Sequence, residues 1–363
     1  PLGAFLSGGI DSSTIVALAQ CQSMRPIKTF SIGFGEEEYD EARYAKKVAD
    51  YLGTEHTELY VTPEEAMAVI PDLPSIFCEP FADSSQVPTL LVSRLARESV
   101  TVALSGDGGD ELFGGYTRYP RTVEAWARVS HMPWIMRQYT AAAVSAFPAP
   151  VLERLSRYLP QSMRIADFGD RAHKFVAAMT ARDFTGFYRN FMHSNHRNPE
   201  ALVSGVRKAA TTHHDQVADL SALNDYDRMM LLDVLRYLPD DILTKVDRAA
   251  MAVSLETRVP LLDHRIVEFA LALPHSIKIR TGMLKWPLRQ VLFRHVPAHL
   301  FNRPKKGFAV PIEQWLRGPL RDWADSLLDE SGLRNDGYLE AAPIRRMWDE
   351  HLKGERRWHG CLW

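Results

Sequence analysis

The 363-residue sequence has few cysteines, no excess of one charge and no long apolar run. Its three cysteines, Cys21, Cys78 and Cys361, lie far apart, whereas zinc sites and disulfide frameworks need paired spacings. We therefore expect reduced thiols and a cytoplasmic protein. Lys and Arg number 43 against 45 Asp and Glu, so the net charge of −2 gives no general reason to expect a nucleic-acid partner.

Signals for a membrane are missing too. No segment approaches the roughly 20 apolar residues that span a bilayer, and no charged-then-apolar leader is present, so we expect no membrane partner. Hydrophobic residues make up 46% of the chain, which is enough for a large core. The sequence begins with Pro1 rather than Met, and residues 2–6 already have the pattern of a buried strand. We expect the chain to begin inside a longer polypeptide.

Short apolar segments alternate with amphipathic ones in the first part of the chain. The patterns predict strands at 2–6, 27–34, 56–61 and 100–104, and helices at 11–20, 40–52, 63–70 and 87–98. Buried strands that alternate with helices predict an α/β fold, a parallel sheet with flanking helices. After residue 118 the patterns are mostly helical, including 118–222 and 224–273. We predict an α/β core over 1–118 and a helical portion over 119–363; the role of 119–222 stays open.

The first predicted strand is followed by SGGIDSS, residues 7–13. A glycine turn between a strand and a helix directs backbone N–H groups at one anion, and Asp11 can hold Mg²⁺ against phosphate oxygens. The lysine of a Walker A loop is absent, which suits pyrophosphate as the leaving group. The alternative interpretation of this segment is a capped helix after a glycine turn, with no bound nucleotide. The motif resembles the pyrophosphate loop (PP-loop) of N-type ATP pyrophosphatases, whose fold is adenine nucleotide α-hydrolase-like.

A second motif, LSGDGGDELFGGY at residues 104–116, follows an apolar strand. Its five glycines and three carboxylates are poor material for a core, and an acidic surface loop would explain the charges but not the glycines. Ligands of parallel sheets bind at the carboxyl ends of the strands, where both motifs begin. The motif is similar to the second signature of asparagine synthetases and of β-lactam and carbapenam synthetases. The chain thus resembles the C-terminal synthetase domain of the glutamine-hydrolysing asparagine synthetase family.

The resemblance implies that ATP activates a carboxylate as an acyl-adenylate with release of pyrophosphate, and that ammonia then forms the amide and AMP. Its implied cofactors are ATP and Mg²⁺, with Asp11 and Asp110 on the metal. The residues that it places around ATP are Leu6, Ser7, Gly8, Gly9, Asp11, Ser12, Ser13, Ser31, Ile32, Gly33, Ser105 and Gly106.

The resemblance also assigns residues to catalysis and substrate binding. Asp107 stands where asparagine synthetases commonly have a glutamate that handles a proton, and its side chain is one methylene shorter. Lys305, in the basic loop at 303–308, aligns with the lysine of an R-x-K-x-x-F loop, and Lys285 is the second candidate for the catalytic cation. A solvated surface loop is the alternative for 303–308.

Four residues are predicted near the substrate. They are Glu111, Tyr116, Lys245 and Arg258. For Lys245 a phosphate contact is the expected role. For Arg258 an ion pair with Glu256 is the structural alternative, and the two interpretations stay open.

The acceptor is predicted with alternatives. Asparagine formation from aspartate is the first expectation, but Ser84 stands where asparagine synthetases have an arginine for aspartate. Another carboxylate, such as a sugar acid in polysaccharide biosynthesis, or a β-lactam-synthetase-like cyclisation would keep the mechanism. A nucleotide-binding scaffold and a pyrophosphatase that acts on a nucleotide or tRNA are the alternatives from other classes.

The nitrogen source is predicted from the same resemblance. Members of the family usually carry an N-terminal glutaminase domain with a catalytic cysteine at its start, and nothing in these 363 residues resembles it. We expect ammonia to come from a glutaminase domain outside this sequence, and the chain alone to use free ammonia. The sequence does not give the oligomeric state, and a homodimer is the assembly that we keep open.

Overall fold

The computed structural model describes residues 1–34, 41–158, 168–192, 199–205, 220–302 and 310–363. The chain forms two compact units, each built from two segments. The first unit consists of Pro1–Tyr119 and Tyr226–Val310, and the second of Pro120–Asp225 and Pro311–Trp363. The domain boundary at 118 stays a prediction, because compactness alone does not show which segment folds by itself.

The first unit contains a five-stranded parallel sheet with strand order β3-β2-β1-β4-β5. Its strands are β1 (Leu2–Phe5), β2 (Lys28–Phe34), β3 (Glu55–Val61), β4 (Val102–Leu104) and β5 (Glu256–Arg258). Four of the strands lie within two residues of their predicted positions, and the predicted α/β class is confirmed. β5 corrects the helical prediction for 224–273. It is three residues long and has no apolar pattern, so only its pairing with β4 makes it a strand.

Helices connect and follow the strands. In chain order they begin with α1 (Ile10–Cys21), α2 (Ala42–Leu52), α3 (Pro63–Ala68), α4 (Leu73–Phe77), α5 (Gln86–Arg97), α6 (Gly109–Phe113) and α7 (Arg118–Ser130). The next four are α8 (Trp134–Ser145), α9 (Ala149–Ser156), α10 (Phe168–Met179) and α11 (Phe184–Met192). None of the helices in the described ranges is long and apolar enough to cross a membrane.

The later helices complete both units. In the first unit α12 (Asp225–Leu232) runs into a π-helix (Asp233–Leu243), which is followed by α13 (Thr244–Met251), α14 (His264–Ala272), α15 (His275–Lys278) and α16 (Trp286–Leu292). In the second unit lie α17 (Ile312–Arg317), α18 (Arg321–Leu327), α19 (Glu330–Asp336), α20 (Ala341–Leu352) and α21 (His359–Leu362).

The core of the first unit brings α1 and α16 together. Leu6, Val16 and Leu292 belong to one buried apolar cluster, and burial of a side chain such as Leu292 contributes about 1.5–3 kcal/mol. α1 begins a short loop after β1, and Lys285, just before α16, forms an ion pair with Asp11 in the first turn of α1, so both helices begin close to the carboxyl end of the sheet.

Two glycines share one backbone conformation in different surroundings. Gly8, in the loop after β1, has φ +69°, and a Cβ there would lie 2.7 Å from the carbonyl carbon of Tyr44 and 2.8 Å from the nitrogen of Ala45. Gly53, which ends α2, also has φ +69°, but nothing lies within 4 Å of a Cβ built there. Gly8 therefore allows the loop to touch α2, whereas Gly53 only satisfies a left-handed turn.

We predict that Gly8→Ala destabilises the protein more than Gly53→Ala does. Both variants should lose about 1 kcal/mol of stability, because alanine is strained in the left-handed conformation. Only Gly8→Ala must also displace α2, and this should cost roughly 1–3 kcal/mol more, as overpacking of a core does. Urea unfolding of both variants measures the difference. Equal losses of stability would contradict the close contact between the loop and α2.

Candidate active site

The loop after β1 is organised by its own serines. The Ser12 hydroxyl accepts the backbone N–H of Ser7 at 3.2 Å and lies 3.0 Å from the Ser7 hydroxyl, which accepts the N–H of Gly9 at 3.3 Å. Ser13 is fully buried at the first turn of α1, and no residue in the described ranges hydrogen-bonds its Oγ. The loop is thus shaped before any ligand binds.

The two glycine-rich motifs lie against each other. A Cβ on Gly106 would lie 2.6 Å from the backbone nitrogen of Ser12, so only glycine allows this approach. Ser105, beside it, is buried and donates its backbone N–H to the carbonyl oxygen of Arg258 at 2.8 Å. The structure thus brings the SGGIDSS loop and the second motif together at the carboxyl end of the sheet.

The remaining predicted ATP residues lie at the ends of β1 and β2. Leu6 is buried and donates its backbone N–H to the carbonyl of Phe30 at 2.9 Å. Ser31, Ile32 and Gly33 are buried within β2, and the Ser31 hydroxyl lies 3.2 Å from the ring of His56. These positions lie next to the loop after β1, and their role in binding adenosine stays a prediction.

A buried lysine joins the two predicted metal ligands. Lys285, which is 5% exposed, forms ion pairs with Asp11 Oδ2 and, at 2.7 Å, with Asp110 Oδ1. Burial of the ammonium acts to lower the pKa of Lys285, but the two carboxylates outweigh it and raise that pKa to about 12. Lys285 is therefore a fixed positive charge at neutral pH.

Glycines make room for this ion cluster. A Cβ on Gly109 would lie 2.5 Å from Asp11 Oδ1, and one on Gly115 would lie 1.9 Å from Lys285 Cε and 2.1 Å from Asp110 Oδ1. Lys285 itself has φ 56°, a left-handed conformation that non-glycine residues adopt at a cost. The glycines of the second motif are thus needed because side chains of other elements fill the space beside them.

Asp11 and Asp110 have the donor chemistry that Mg²⁺ requires. Two carboxylates against one ammonium leave a net negative charge, and Mg²⁺ commonly binds one or two carboxylates together with substrate phosphates. Within the described ranges no group of three or more His, Cys, Asp and Glu side chains could hold a metal ion. The residues present therefore fit an ion that phosphate oxygens help to hold.

Glu111 and Tyr116 form a buried hydrogen-bonded pair. The Tyr116 hydroxyl donates to Glu111 Oε1, and Glu111 is 1% exposed. Burial raises the pKa of Glu111 to about 7, against the opposing effect of the Tyr116 hydrogen bond. Burial and the neighbouring carboxylates raise the pKa of Tyr116, so the phenol stays protonated. Glu111 can therefore gain or lose a proton near neutral pH.

Asp107 belongs to the same second motif as this pair. The Ser105 hydroxyl donates to Asp107 Oδ2. Burial raises the pKa of Asp107, while the Ser105 hydrogen bond and the charge of Lys245 act in the opposite direction. A carboxylate with a raised pKa accepts a proton more readily at neutral pH, and the role of Asp107 as the general base stays a prediction.

Arg118 was not among the predicted site residues. Its guanidinium lies 3.6 Å from the centroid of the Tyr116 ring and donates to Asp233 Oδ2 at 2.7 Å. The Tyr119 hydroxyl donates to the same oxygen at 2.7 Å, and Asp233 is 3% exposed. Because 115 residues separate Arg118 from Asp233, no local pattern in the sequence could have indicated the pair.

Lys245 and Arg258 are both held by carboxylates. Lys245 Nζ donates to Asp83 Oδ2 at 2.6 Å. Arg258 Nε lies 2.6 Å from Glu256 Oε1, with both side chains exposed, so the structure contains the ion pair that the sequence offered as an alternative. Lys305 lies in 303–309, outside the described residues, and its catalytic role stays a prediction.

Comparison with known proteins gives the family. A sequence model described as asparagine synthase matches residues 1–363. The chain belongs to the asparagine synthase family. This confirms the resemblance drawn from the two glycine-rich motifs and agrees with the α/β sheet.

Two bacterial relatives and one human relative illustrate the match. The chain is 33% identical to asparagine synthetase (glutamine-hydrolyzing) 1 of Bacillus subtilis strain 168 over 97% of this chain and 52% of the relative. It is 37% identical to a putative asparagine synthetase (glutamine-hydrolyzing) of Mycobacterium tuberculosis H37Rv over 100% of this chain and 53% of the relative. The human asparagine synthetase is 23% identical over 100% of this chain and 51% of the relative. The chain spans about half the length of these relatives.

We predict that Arg118 and Asp233 stabilise the fold as a coupled pair. Arg118→Gln should cost about 3 kcal/mol, the low end for a buried ion pair, because it removes the cation beside a buried carboxylate but leaves the Tyr119 hydrogen bond, and Asp233→Asn should cost a similar amount. In the double variant the losses should fall short of their sum by at least about 1 kcal/mol.

Urea unfolding of the two single variants and the double variant measures this coupling. Arg128→Gln, an exposed arginine further along α7, is the matched control and should change stability by less than about 0.5 kcal/mol. Additive losses in the double variant would show that the pair is not coupled.

Proposed function

We propose that this chain is the synthetase part of a carbon–nitrogen ligase that makes asparagine from aspartate, ATP and ammonia. The observation that carries the proposal is the ion cluster of Lys285 with Asp11 and Asp110 beside two glycine-rich loops. It combines fixed charges of both signs with backbone N–H groups at the carboxyl end of a parallel sheet, an arrangement suited to the phosphates of ATP.

In the first step an oxygen of the aspartate β-carboxylate attacks the α phosphorus, and the bond to the bridging oxygen of pyrophosphate breaks. The backbone N–H groups at the first turn of α1 hold the phosphates, and Lys285 presents a permanent positive charge to them. A magnesium ion held by Asp11 and Asp110 supplies, when bound, further neutralisation of the pyrophosphate that leaves. Lys305 is the second cation that we propose for this step.

In the second step ammonia attacks the acyl carbon, a C–N bond forms and the bond to AMP breaks. The nitrogen must lose a proton, and Asp107 is the acceptor that we propose because its pKa is raised by burial. Glu111 and Tyr116 line the same motif, and Tyr116 remains a hydrogen-bond donor at neutral pH. Their proposed role is to orient the acyl group.

The proposal for acceptor and nitrogen source draws on the relatives. Those at 33% and 37% identity are named as glutamine-hydrolysing asparagine synthetases. We propose that ammonia reaches this site from a glutaminase domain, that the site works in the cytoplasm, and that a homodimer is the assembly. The cytoplasmic proposal agrees with the three cysteines, none of which forms a disulfide.

The acceptor can be identified by pyrophosphate release with ATP, Mg²⁺ and ammonium chloride. We expect aspartate to stimulate release at least tenfold over the reaction without acceptor, with asparagine and AMP formed in equal amounts. Glutamate, uronic acids and β-amino acids should stimulate it less than twofold. Stimulation by one of these acids alone would support the same mechanism with that acid, rather than aspartate, as the acceptor. No stimulation by any acid would contradict the proposed function.

We predict that Asp11→Asn and Asp110→Asn each lower Mg²⁺-dependent pyrophosphate release at least a hundredfold. Each change removes one of two carboxylates that hold the ion and also disturbs Lys285. Asp50→Asn, an exposed carboxylate on α2, is the matched control and should keep the rate within twofold. Wild-type rates in folded Asp11→Asn or Asp110→Asn protein would contradict the assignment of Mg²⁺ to these two carboxylates.

A further inference from the structure

The π-helix places three polar residues at a spacing of four. Asp233, Tyr237 and Asp241 follow one another in this helix, whose hydrogen bonds span five residues, so positions four apart lie on about the same face. Asp233 binds Arg118 and Tyr119, and the Tyr237 ring lies 6.0 Å from the ring of Tyr116. The face therefore points toward the Glu111–Tyr116 pair, and Asp241 is its third member.

Asp83 is fully engaged by its neighbours. One of its oxygens, Oδ2, accepts Lys245 Nζ at 2.6 Å and the Ser85 hydroxyl at 2.8 Å, and Oδ1 accepts the Ser85 N–H at 2.9 Å. Burial acts to raise the pKa of Asp83, but the charge of Lys245 outweighs it and lowers that pKa. Asp83 is thus a carboxylate whose charge Lys245 already balances.

Asp241 lies within hydrogen-bonding reach of Asp83 but has no bonded cation of its own within the described ranges. Its Oδ1 is buried and has no hydrogen-bond partner among the described residues. Burial and the charge of Asp83 raise the pKa of Asp241 to about 7, against the effect of Lys245. When Asp241 is ionised, two carboxylates share one ammonium group, and the second negative charge has no bonded cation among the described residues.

We propose that Asp241 binds a protonated amine nitrogen of the reactants through its buried Oδ1. An ammonium group supplies both of the things that this oxygen lacks, a hydrogen-bond donor and a positive charge. The source is either the α-ammonium group of the acceptor amino acid or the ammonium ion itself. The charge of Lys245 acts on the pKa of both Asp241 and Asp107, which links the proposed amine site to the carboxylate of the amide-forming step.

A purely structural role for Asp241 gives a different expectation. If the residue only shares a proton with Asp83, Asp241→Asn should behave like the wild type, because the amide still donates a hydrogen bond to Asp83. If Asp241 binds an ammonium group, the same change removes the negative charge and weakens ligand binding. Asp240, its exposed neighbour in the same helix, provides the matched control Asp240→Asn.

The test is calorimetric titration of the protein saturated with Mg²⁺ and α,β-methylene ATP, with aspartate in one arm and ammonium chloride in the other. We expect Asp241→Asn to raise the Kd at least tenfold in one arm, which identifies the source of the nitrogen. Asp240→Asn should change neither Kd by more than twofold. Melting temperatures of both variants check that they are folded.

Proton release provides a second readout. Below pH 7 Asp241 holds a proton, so binding of an ammonium group at pH 6 should release close to one proton, measured in buffers of different ionisation enthalpy. The release should vanish in Asp241→Asn and persist in Asp240→Asn. Unchanged Kd values in both arms, or no binding by the wild type in either arm, would overturn the inference.

The inference rests on the proposed function, and the two can fail separately. Pyrophosphate release with aspartate but no ligand binding that depends on Asp241 would contradict the inference alone. Binding that depends on Asp241 without any acceptor-stimulated pyrophosphate release would contradict the proposed function alone.

Discussion

The buried ammonium of Lys285 between Asp11 and Asp110 is the interaction on which the site depends. Each residue lies at the beginning of a different helix, so the ion cluster fixes α1, α6 and α16 relative to the sheet. Taking one partner from a buried ion pair leaves an uncompensated charge, which costs about 3–5 kcal/mol. The three helices therefore hold the same charges that we propose for phosphate binding, and folding and chemistry share one cluster.

This ion cluster explains why the second motif contains glycines. Gly109 and Gly115 lie against the side chains of Asp11, Asp110 and Lys285, and Gly106 lies against the backbone of Ser12. Any Cβ at these positions would take the space of a charged group or of the neighbouring loop. The motif is rich in glycine because three chain segments meet there, and this is why its pattern could be recognised without a structure.

Local patterns predicted much of the fold, and long-range pairs could not be predicted. Strand β2 was predicted from its alternating β-branched and aromatic residues and has the expected end, whereas β5 has no apolar pattern and exists only through its pairing with β4. The two motifs indicated Asp11 and Asp110, yet the ion pairs of both with Lys285 connect positions far apart in the chain. Asp83 and Lys245 are separated by 162 residues, so their pairing had no local signal.

The carboxyl groups of the site fall into two classes by their partners. Asp11, Asp110 and Asp83 have a lysine bonded to them, whereas Glu111 and Asp241 have no bonded cation within the described part of the chain. Burial without a cation raises the pKa of both to about 7. Phosphate transfer needs charges that do not change, and attack by ammonia needs groups that exchange protons near neutral pH. Of the two steps that we propose, the first uses the fixed charges of Asp11, Asp110 and Lys285, and the second uses Asp107, whose pKa burial also raises.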